Sequence, residues 1–378
     1  MISKNGNYIA IGEKGKINLY DNELNLVKFI EIPDARPYGN FAVAGVANDI
    51  SKVYVRDWNG LFSSGGGGLY EIDMQTGSRR RLDVSSSGST ITYQGWSIND
   101  DDIDFSSDYS KVAIAIRDTA DSTSWGNQRV NIYLKDLSSG SIQRIDYLNS
   151  KSEMGFSSSP EISNDGNKVV FASDLALTPD APSGTNIYLW ESGSAFELLN
   201  KTSRGAVFGS NYGWHADISG NGDKIAFQTG EALVSGDTNG ISDVYIKTLS
   251  TGEIVRASDN LLGGIYPRFS TDGSHIFYQV YRSNSKYLKG YNLSSNETVE
   301  IPGLDPKNTP DFKSESFENV ANDSGILWTW KDYSNDDNDG DADYYYFSLS
   351  GATETYTINT SASTRNEGQW LTTTGSTS

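Results

Sequence analysis

The sequence contains no cysteine, three methionines and two histidines among its 378 residues. The lack of cysteine excludes disulfide bonds and thiolate metal sites, and two histidines are too few for a multi-histidine metal centre. No apolar run is long enough to cross a bilayer, so membrane insertion is not expected. Residues 1–6 do not resemble a signal peptide. The protein is therefore either not exported by that route or has lost a leader.

Positive charge is also scarce. Thirty Lys and Arg residues face 49 Asp and Glu residues, which gives a formal net charge of −19. A surface this acidic repels the phosphate backbone, and the densest basic run, Arg79-Arg80-Arg81, is short and follows a turn. We therefore expect no nucleic-acid partner.

Glycine and tyrosine are abundant, with 38 and 22 copies. Glycine permits tight turns, and aromatic rings fit the pleated surface of a sheet. Hydrophobic residues make up 36% of the chain, which is enough for a core divided among many small sheets. The composition therefore indicates an all-β protein.

A short pattern recurs along the chain: an apolar residue, Ser or Ala, a variable residue, Asn or Asp, and usually Gly, followed by an apolar strand. Its clearest copies are Ile-Ser-Asn-Asp-Gly at 162–166, Ile-Ser-Gly-Asn-Gly at 218–222 and Phe-Ser-Thr-Asp-Gly at 269–273. The anchoring Ser or Ala lies at positions 3, 47, 106, 163, 219, 270 and 321. An Asx-Gly step supplies the positive φ of a tight hairpin, so each copy predicts a turn between two strands.

The anchors are 44 to 59 residues apart. Repeats of this length predict a single domain, a seven-bladed β-propeller of four-stranded antiparallel blades. The expected blades span about 1–40, 41–97, 98–155, 156–210, 211–262, 263–312 and 313–360. The first unit has no room for an innermost strand before Ser3. We therefore expect residues 361–378 to supply that strand and to close the ring by pairing with blade one; a frayed tail is the alternative.

Two phrases carry a family resemblance. Leu-Val-Ser-Gly-Asp-Thr-Asn-Gly-Ile-Ser-Asp-Val-Tyr-Ile at 233–246 and Leu-Ser-Thr-Gly-Glu at 249–253 resemble the repeat of the TolB-like, WD-repeat-like propellers of bacteria. The resemblance is clear in units three to six. It implies a propeller fold and leaves the function open, because such propellers include binding modules, scaffolds and appendages of enzymes.

One loop has the spacing of a calcium site. Asp237, Asn239 and Asp243 occupy its first, third and seventh positions, and the carbonyl of Ile241 adds a fourth oxygen. Oxygen atoms at alternate positions of a tight loop converge on one hard cation. The seventh unit repeats the pattern with Asp337, Asp339, Asp341 and Asp343. The resemblance to a family whose similar loops are often calcium-associated supports calcium as a cofactor; a simple Asx turn is the alternative.

A second set of polar residues lies two positions before the anchors, where the innermost strands are expected to line the propeller axis. Its members are Asp104, Glu161, Asp217, Arg268 and Asn319, with Gly45 in blade two. This mainly acidic ring is suited to a cation, a sugar or a basic peptide; hydration alone is the alternative. Trp214 and His215, at the start of the fifth innermost strand, are further candidates for ligand contact at the channel mouth.

No catalytic motif accompanies these sites. The sequence therefore predicts a non-enzymatic, calcium-stabilised propeller that binds a protein or a glycan through one face, as a binding or scaffold module. A glycan-active hydrolase or lyase that uses carboxylates at the channel mouth is the alternative. An extracellular, surface or periplasmic location is expected if a leader was removed. The oligomeric state is left open.

Overall fold

A computed structural model describes residues 1–13, 15–23, 25–32, 41–57, 67–84, 102–117, 130–147, 155–200, 215–259, 261–282 and 285–301. For five later strands, within 316–373, it describes the backbone. All elements of regular structure in these residues are strands. The described part of the chain contains no helix that is long and apolar enough to cross a bilayer.

The strands form seven antiparallel sheets in chain order, which we call blades one to seven. Blade one contains β1 Tyr8–Glu13, β2 Lys16–Asp21 and β3 Leu26–Glu31. Blade two contains β4 Phe41–Val46, β5 Lys52–Asp57, β6 Gly68–Asp73 and β7 Arg79–Arg81. Blade three contains β8 Ile103–Phe105, β9 Lys111–Arg117, β10 Val130–Asp136 and β11 Ile142–Arg144. Blade four contains β12 Ser157–Ile162, β13 Lys168–Ser173, β14 Asn186–Glu191 and β15 Glu197–Leu198.

The remaining blades follow the same order. Blade five contains β16 Ala216–Ile218, β17 Lys224–Thr229, β18 Asp243–Thr248 and β19 Ile254–Arg256. Blade six contains β20 Ile265–Phe269, β21 His275–Arg282, β22 Ser285–Asn292 and β23 Glu297–Glu300. Blade seven contains β24 Ser316–Ala321, β25 Ser324–Thr329, β26 Asp343–Ser348, β27 Tyr356–Ile358 and β28 Thr372–Thr373. The strands of blades one to six and the first four strands of blade seven lie within the units expected from the repeat, whereas β28 lies in the segment 361–378 that was expected to join blade one.

Because each blade is an antiparallel meander, its connections alternate between two ends. The repeated turn, and the turn between the third and fourth strands, lie at one end, which we call the turn face. The connections between second and third strands, and those between blades, lie at the other end, the loop face.

The turns of neighbouring blades also bond to each other: the Ser107 N–H donates to the Asn164 carbonyl at 3.1 Å, and the Asn164 N–H donates to the Gly220 carbonyl at 2.9 Å.

The anchoring serine explains why the turn recurs. In blade four the Ser163 hydroxyl donates to the Asp165 carboxylate at 2.6 Å and accepts from the Lys168 N–H at 3.1 Å. The same pair of bonds forms at Ser3, Ser106, Ser219 and Ser270. The serine thus closes the turn and begins the second strand, which is the local reason that the sequence pattern specifies a hairpin.

Two turns keep this geometry without glycine. Gly166 and Gly222 have φ of 66° and 70°, whereas Ile50 and Tyr109 take the same place with φ of 54° and 55°. A positive φ strains both side chains, and a β-branched isoleucine most of all. The Tyr109 ring stacks on Tyr54, with ring centroids 5.2 Å apart and an interplanar angle of 3°, which offsets the strain.

The hydrophobic core lies between consecutive blades. The second strand of each described blade is almost wholly buried; in blade five, for example, Ile225, Ala226 and Phe227 are each fully buried. Residues of blade five such as Val244 pack against residues of blade six such as Phe277, and other clusters join the earlier pairs of blades in the same way. Burial on both faces accounts for the continuous apolar runs that follow each turn.

The structure corrects two parts of the expected architecture. Blades two to six have four strands, but blade one has three and blade seven has five. The predicted closing strand was also wrong: β28 pairs with β27 inside blade seven, and no described strand of blade seven pairs with blade one. Ile2 and Ser3 instead bond along the innermost edge of blade one. Ile2 bridges to Ile9, and the Ser3 N–H donates to the Tyr8 carbonyl at 2.8 Å.

Candidate functional site

Five charged side chains from five blades gather around the axis near the turn face. We call them the axial cluster: Lys4, Asp104, Glu161, Asp217 and Arg268. They line one cavity, of about 50 Å³, together with turn residues such as Asn164 and Thr271. Four of the five are among the residues that the repeat placed two positions before the anchors. The structure therefore brings Asp104, Glu161, Asp217 and Arg268 together.

Bulges in two innermost strands aim Glu161 and Arg268 at the axis. The register of β12 shifts between Ser158 and Glu161, and that of β20 shifts between Ile265 and Arg268. Each bulge contains a residue with positive φ, Ser159 at 51° or Tyr266 at 53°, followed by a proline. Bulges redirect the side chains that follow them, and proline within a sheet is confined to such places. The proline before the axial residue was thus a signal of the bulge in the sequence.

The two aspartates fasten neighbouring blades to each other. Asp104 accepts the Phe105 N–H at 2.8 Å and, with its second oxygen, the Ile162 N–H of blade four at 2.9 Å. Asp217 accepts the Ile218 N–H at 2.7 Å and the Phe269 N–H of blade six at 2.5 Å. Each carboxylate therefore spans the gap between two innermost strands.

Glu161 is held differently, by a side chain. The Arg268 guanidinium of blade six reaches past blade five to Glu161, with 2.8 Å between Nη1 and Oε1. Burial raises the pKa of Glu161 well above its usual value; Arg268 opposes this shift, while the charges of Asp104 and Asp217 add to it. Burial likewise raises the pKa of Asp217 to about 6, again against the effect of Arg268.

Lys4 is the member of the cluster that the sequence did not indicate. Its ammonium group lies 2.5 Å from Asp104. Although burial lowers the pKa of Lys4, Asp104 and the other carboxylates outweigh that effect and raise it. Lys4 is the variable residue of its turn, and the variable residues Asn164, Gly220 and Thr271 of later turns also line the cavity. The variable position, not only the position two before the anchor, faces the axis.

Blade two contributes no charge, for a steric reason. Gly45 stands at its axial position, and a Cβ there would lie 3.1 Å from the Tyr109 ring and 3.2 Å from the Phe105 ring. These rings pack on Tyr54, with centroid distances of 5.2 and 4.5 Å. Aromatic packing thus occupies the space that a charged side chain would need.

The blade-five loop of the calcium prediction holds its carboxylates inside the protein. Asp243 is fully buried; its Oδ1 accepts from the Ser258 hydroxyl at 2.5 Å, while its Oδ2 has no hydrogen-bond partner among the described residues. Asp237 accepts from the Tyr245 hydroxyl and lies 3.4 Å from the Arg256 guanidinium. Burial raises the pKa of Asp243, and the charge of Asp237 adds to the shift. The Asn239 amide lies beside Asp243 without a bond of good geometry.

Blade four shows the same position with a neutral side chain. Asn186 begins β14 and pairs with Ser173, just as Asp243 begins β18 and pairs with Thr229. The Asn186 amide donates to the carbonyls of Pro182 and Gly184, both at 3.0 Å, and so ties its loop together. The carboxylate of Asp243 has no N–H group and cannot donate to the carbonyls of its loop in this way.

Structural comparison places this architecture among known folds. The chain is similar to oligogalacturonate lyase from Vibrio parahaemolyticus, with 13% identity and a TM-score of 0.54 over 84% of this chain and 77% of the lyase. It is also similar to acylaminoacyl peptidase from Pyrococcus horikoshii, with 13% identity and a TM-score of 0.52 over 88% of this chain and 46% of the peptidase. The fold is that of a β-propeller.

TolB from Acinetobacter baumannii is a further neighbour of this propeller, with 18% identity and a TM-score of 0.45 over 78% of the chain. The propeller spans 63% of the length of that TolB. The propeller fold that the resemblance of the repeat implies is confirmed by the neighbours with TM-scores above 0.5. No protein-family model matches the sequence, and no curated protein sequence is significantly similar to it.

Other predicted site residues lie elsewhere or outside the description. His215 packs edge-on against Tyr266, with ring centroids 4.3 Å apart, near the loop-face start of the innermost strands. Trp214, Asp337, Asp339 and Asp341 lie outside the described residues, and Asn319 and Asp343 are described as backbone in β24 and β26. Among the described residues no three His, Asp or Glu side chains come together as a metal site; sets that include Asn and backbone carbonyls, as in the blade-five loop, are a different case.

Proposed function

We propose that the protein is a non-enzymatic binding module, a propeller that holds a protein partner on its turn face through the axial cavity. The observation that carries this proposal is the axial cluster, in which five blades each direct a charged side chain at one small cavity. Burying a charged side chain costs free energy, and the side-chain hydrogen bonds to the backbone of the next blade use only Asp104 and Asp217. We therefore assign the other charged side chains of the cluster to recognition of a ligand.

A protein partner fits this cavity better than a glycan. A space of about 50 Å³ admits the end of a side chain, whereas a sugar ring needs several times that volume. Phe269 belongs to the lining but is only 7% exposed, so it offers no stacking platform. The net charge of −19 attracts a basic protein over long range and raises its rate of association.

An array of basic and neutral peptides, run beside a glycan panel assayed for both retention and cleavage, tests the proposal. We expect retention of basic peptides and a loss of at least tenfold for Thr271→Lys, which adds a positive charge at the cavity. Thr251→Lys adds the same charge to an outer turn of the same face and should leave retention unchanged. If no peptide is retained, the proposed function is wrong.

A glycan-active hydrolase or lyase is the second candidate. It is favoured by Asp217, because burial raises the pKa of this carboxyl to about 6, where it can both give and take a proton near neutral pH. Against this, both oxygens of Asp217 accept backbone N–H groups. Glycan turnover that disappears in Asp217→Asn would establish this candidate instead.

We also propose that calcium stabilises the blade-five loop, as the spacing of its oxygens predicted. The buried Oδ2 of Asp243, with no partner among the described residues, supports a cation there, and so does the nearby charge of Asp237. Asn239, with the carbonyl of Ile241, completes an oxygen set of the kind that calcium takes. Binding requires Arg256 to give way at Asp237. The seventh-blade loop and an extracellular or periplasmic location stay predictions.

A further inference from the structure

The axial cluster is not balanced in charge. Three carboxylates, of Asp104, Glu161 and Asp217, face two cations, of Lys4 and Arg268. Lys4 pairs with Asp104, and Arg268 pairs with Glu161. A buried cluster with more carboxylates than cations avoids the cost of a further ionisation by keeping a proton on one of its carboxyls. Counted over the residues that the structure describes, the cluster is therefore short of one positive charge.

Of the three carboxyls, that of Glu161 is the most favoured to hold this proton. Both oxygens of Asp104 and both oxygens of Asp217 accept backbone N–H groups, so a proton added to either carboxyl would compete with one of these hydrogen bonds. Glu161 is held by Arg268 and faces the charges of Asp104 and Asp217, with Lys4 opposing them. Burial, the largest effect, raises its pKa well above the usual value. A proton on Glu161 leaves two cations facing two carboxylates.

The cavity is matched to one further small cation. About 50 Å³ holds an ammonium group with one or two waters. The planar guanidinium of arginine is larger and needs a fork of acceptors in one plane. Asp104, Glu161 and Asp217 all line this cavity, so an ammonium group inside it lies beside three carboxyl groups.

We infer that the axial cavity takes the ammonium group of a lysine side chain on the protein partner, and that Glu161 releases its proton as the ammonium enters. Three cations then face three carboxylates, and the proton passes to the solvent. This inference rests on the proposed function and names the group that it recognises.

Proton release makes the affinity depend on pH. Below the pKa of Glu161 in the free protein, the affinity falls about tenfold for each unit of pH, because one proton must leave for each ammonium bound. Asp217, with a pKa of about 6, adds a second such dependence in more acidic solution. At high pH both carboxylates are already ionised, and the affinity becomes independent of pH.

The test is titration calorimetry with the pentapeptide acetyl-Gly-Gly-Lys-Gly-Gly-amide, in two buffers of different ionisation enthalpy. Matched peptides replace the lysine with norleucine or with arginine. We expect the lysine peptide to bind at least tenfold more tightly than either, with release of up to one proton per peptide at pH 7. In Glu161→Gln the affinity should fall and the proton release should be lost.

Equal binding of the norleucine or arginine peptide would overturn the inference, and so would binding of the lysine peptide without proton release by the unmodified protein. The latter measurement needs no variant, so it stands even if Glu161→Gln does not fold. A different result contradicts the proposed function, namely that the array retains no peptide. If the array shows retention that Thr271→Lys abolishes but lysine peptides have no advantage, the proposed function stands and only the assignment of lysine is wrong.

Discussion

The Arg268 guanidinium of blade six contacts the Glu161 carboxyl of blade four across the axis, with blade five between them. Each of these residues directly follows a proline in a bulged innermost strand, and the residue before that proline has positive φ. Blade five has no bulge in its short innermost strand. The two bulges therefore act together, because each places one partner of the same contact.

Replacement of Glu161 by Gln should make stability less dependent on pH. The folded-state pKa of Glu161 is raised, so the stability that its proton contributes is present below the unfolded value of about 4.3 and is lost as pH rises through the folded value. Glutamine keeps an acceptor for Arg268 and carries no charge. We expect the Tm of Glu161→Gln to be closest to that of the unmodified protein near pH 5 and to exceed it by an increasing margin towards pH 8.

Calorimetric melting at pH 5, 6.5 and 8 measures the effect, at about 1.4 kcal/mol for each unit by which the pKa is raised. Glu197→Gln is a matched control, since Glu197 forms an exposed pair with Lys247 at 2.8 Å on an outer strand. A difference in Tm between Glu161→Gln and the unmodified protein that stays constant with pH would contradict the argument.

Loss of Lys4 should destabilise the fold. Lys4→Met keeps the length of the side chain and leaves Asp104 facing Glu161 and Asp217 without its cation. Breaking a buried pair costs about 3–5 kcal/mol, and the 17% and 12% exposure of these two side chains reduces that to about 2–3 kcal/mol. Urea denaturation measures it. Lys28→Met on β3 is the control, with an expected cost below about 1 kcal/mol; equal costs would mean that the axial pair has no special role.

The sequence predicted the blades and part of the site for physical reasons that can be named. The turn is local, because Ser163, Asp165 and the Lys168 N–H satisfy one another within six residues, so its pattern is visible in the chain. Equivalent strand positions then placed Asp104 and Asp217 at one height. Pairing across blades is not local. The contact of Lys4 with Asp104 joins residues 100 positions apart, and no pattern within one repeat contains it.

The closing strand was predicted wrongly for a related reason. The repeat shows that blade one is short of a strand, but it does not say which segment fills the gap. Ile2 and Ser3 lie along the innermost edge of this blade, because Ile2 bridges to Ile9 and the Ser3 N–H bonds to the Tyr8 carbonyl. Backbone hydrogen bonds carry no side-chain signature, so a bridge this short leaves no pattern in the sequence.

In Asp243→Asn the side-chain amide should stabilise the loop in place of the proposed calcium ion. In blade four the Asn186 amide bonds two loop carbonyls, and an asparagine at position 243 can do the same. We expect calcium to raise the Tm of the unmodified protein, with about 2.7 kcal/mol of stabilisation at one hundred times Kd. Asp243→Asn should keep its stability in chelator and lose the response to calcium.

Scanning calorimetry with calcium and with chelator checks both expectations. The converse variant, Asn186→Asp, puts a carboxylate into the blade-four loop, where the carbonyls of Pro182 and Gly184 lose their donor. It should lower the Tm in chelator. If the Tm of the unmodified protein is the same in calcium and in chelator, the loop is an Asx turn and the calcium proposal is wrong.

The two turns without glycine should respond in opposite ways to the same change. Ile50 and Tyr109 both have positive φ, which costs about 1–2 kcal/mol in a residue with a side chain. Ile50 is only partly buried, so Ile50→Gly loses little packing, relieves the strain and should raise the Tm. Tyr109 is 8% exposed and packs against Tyr54 and Phe105, so Tyr109→Gly loses about 3–5 kcal/mol of buried aromatic packing, more than the strain it relieves, and should lower the Tm. Thermal melting and urea denaturation of both variants decide the point, and a loss of stability in Ile50→Gly as large as that in Tyr109→Gly would mean that backbone strain at these turns is negligible.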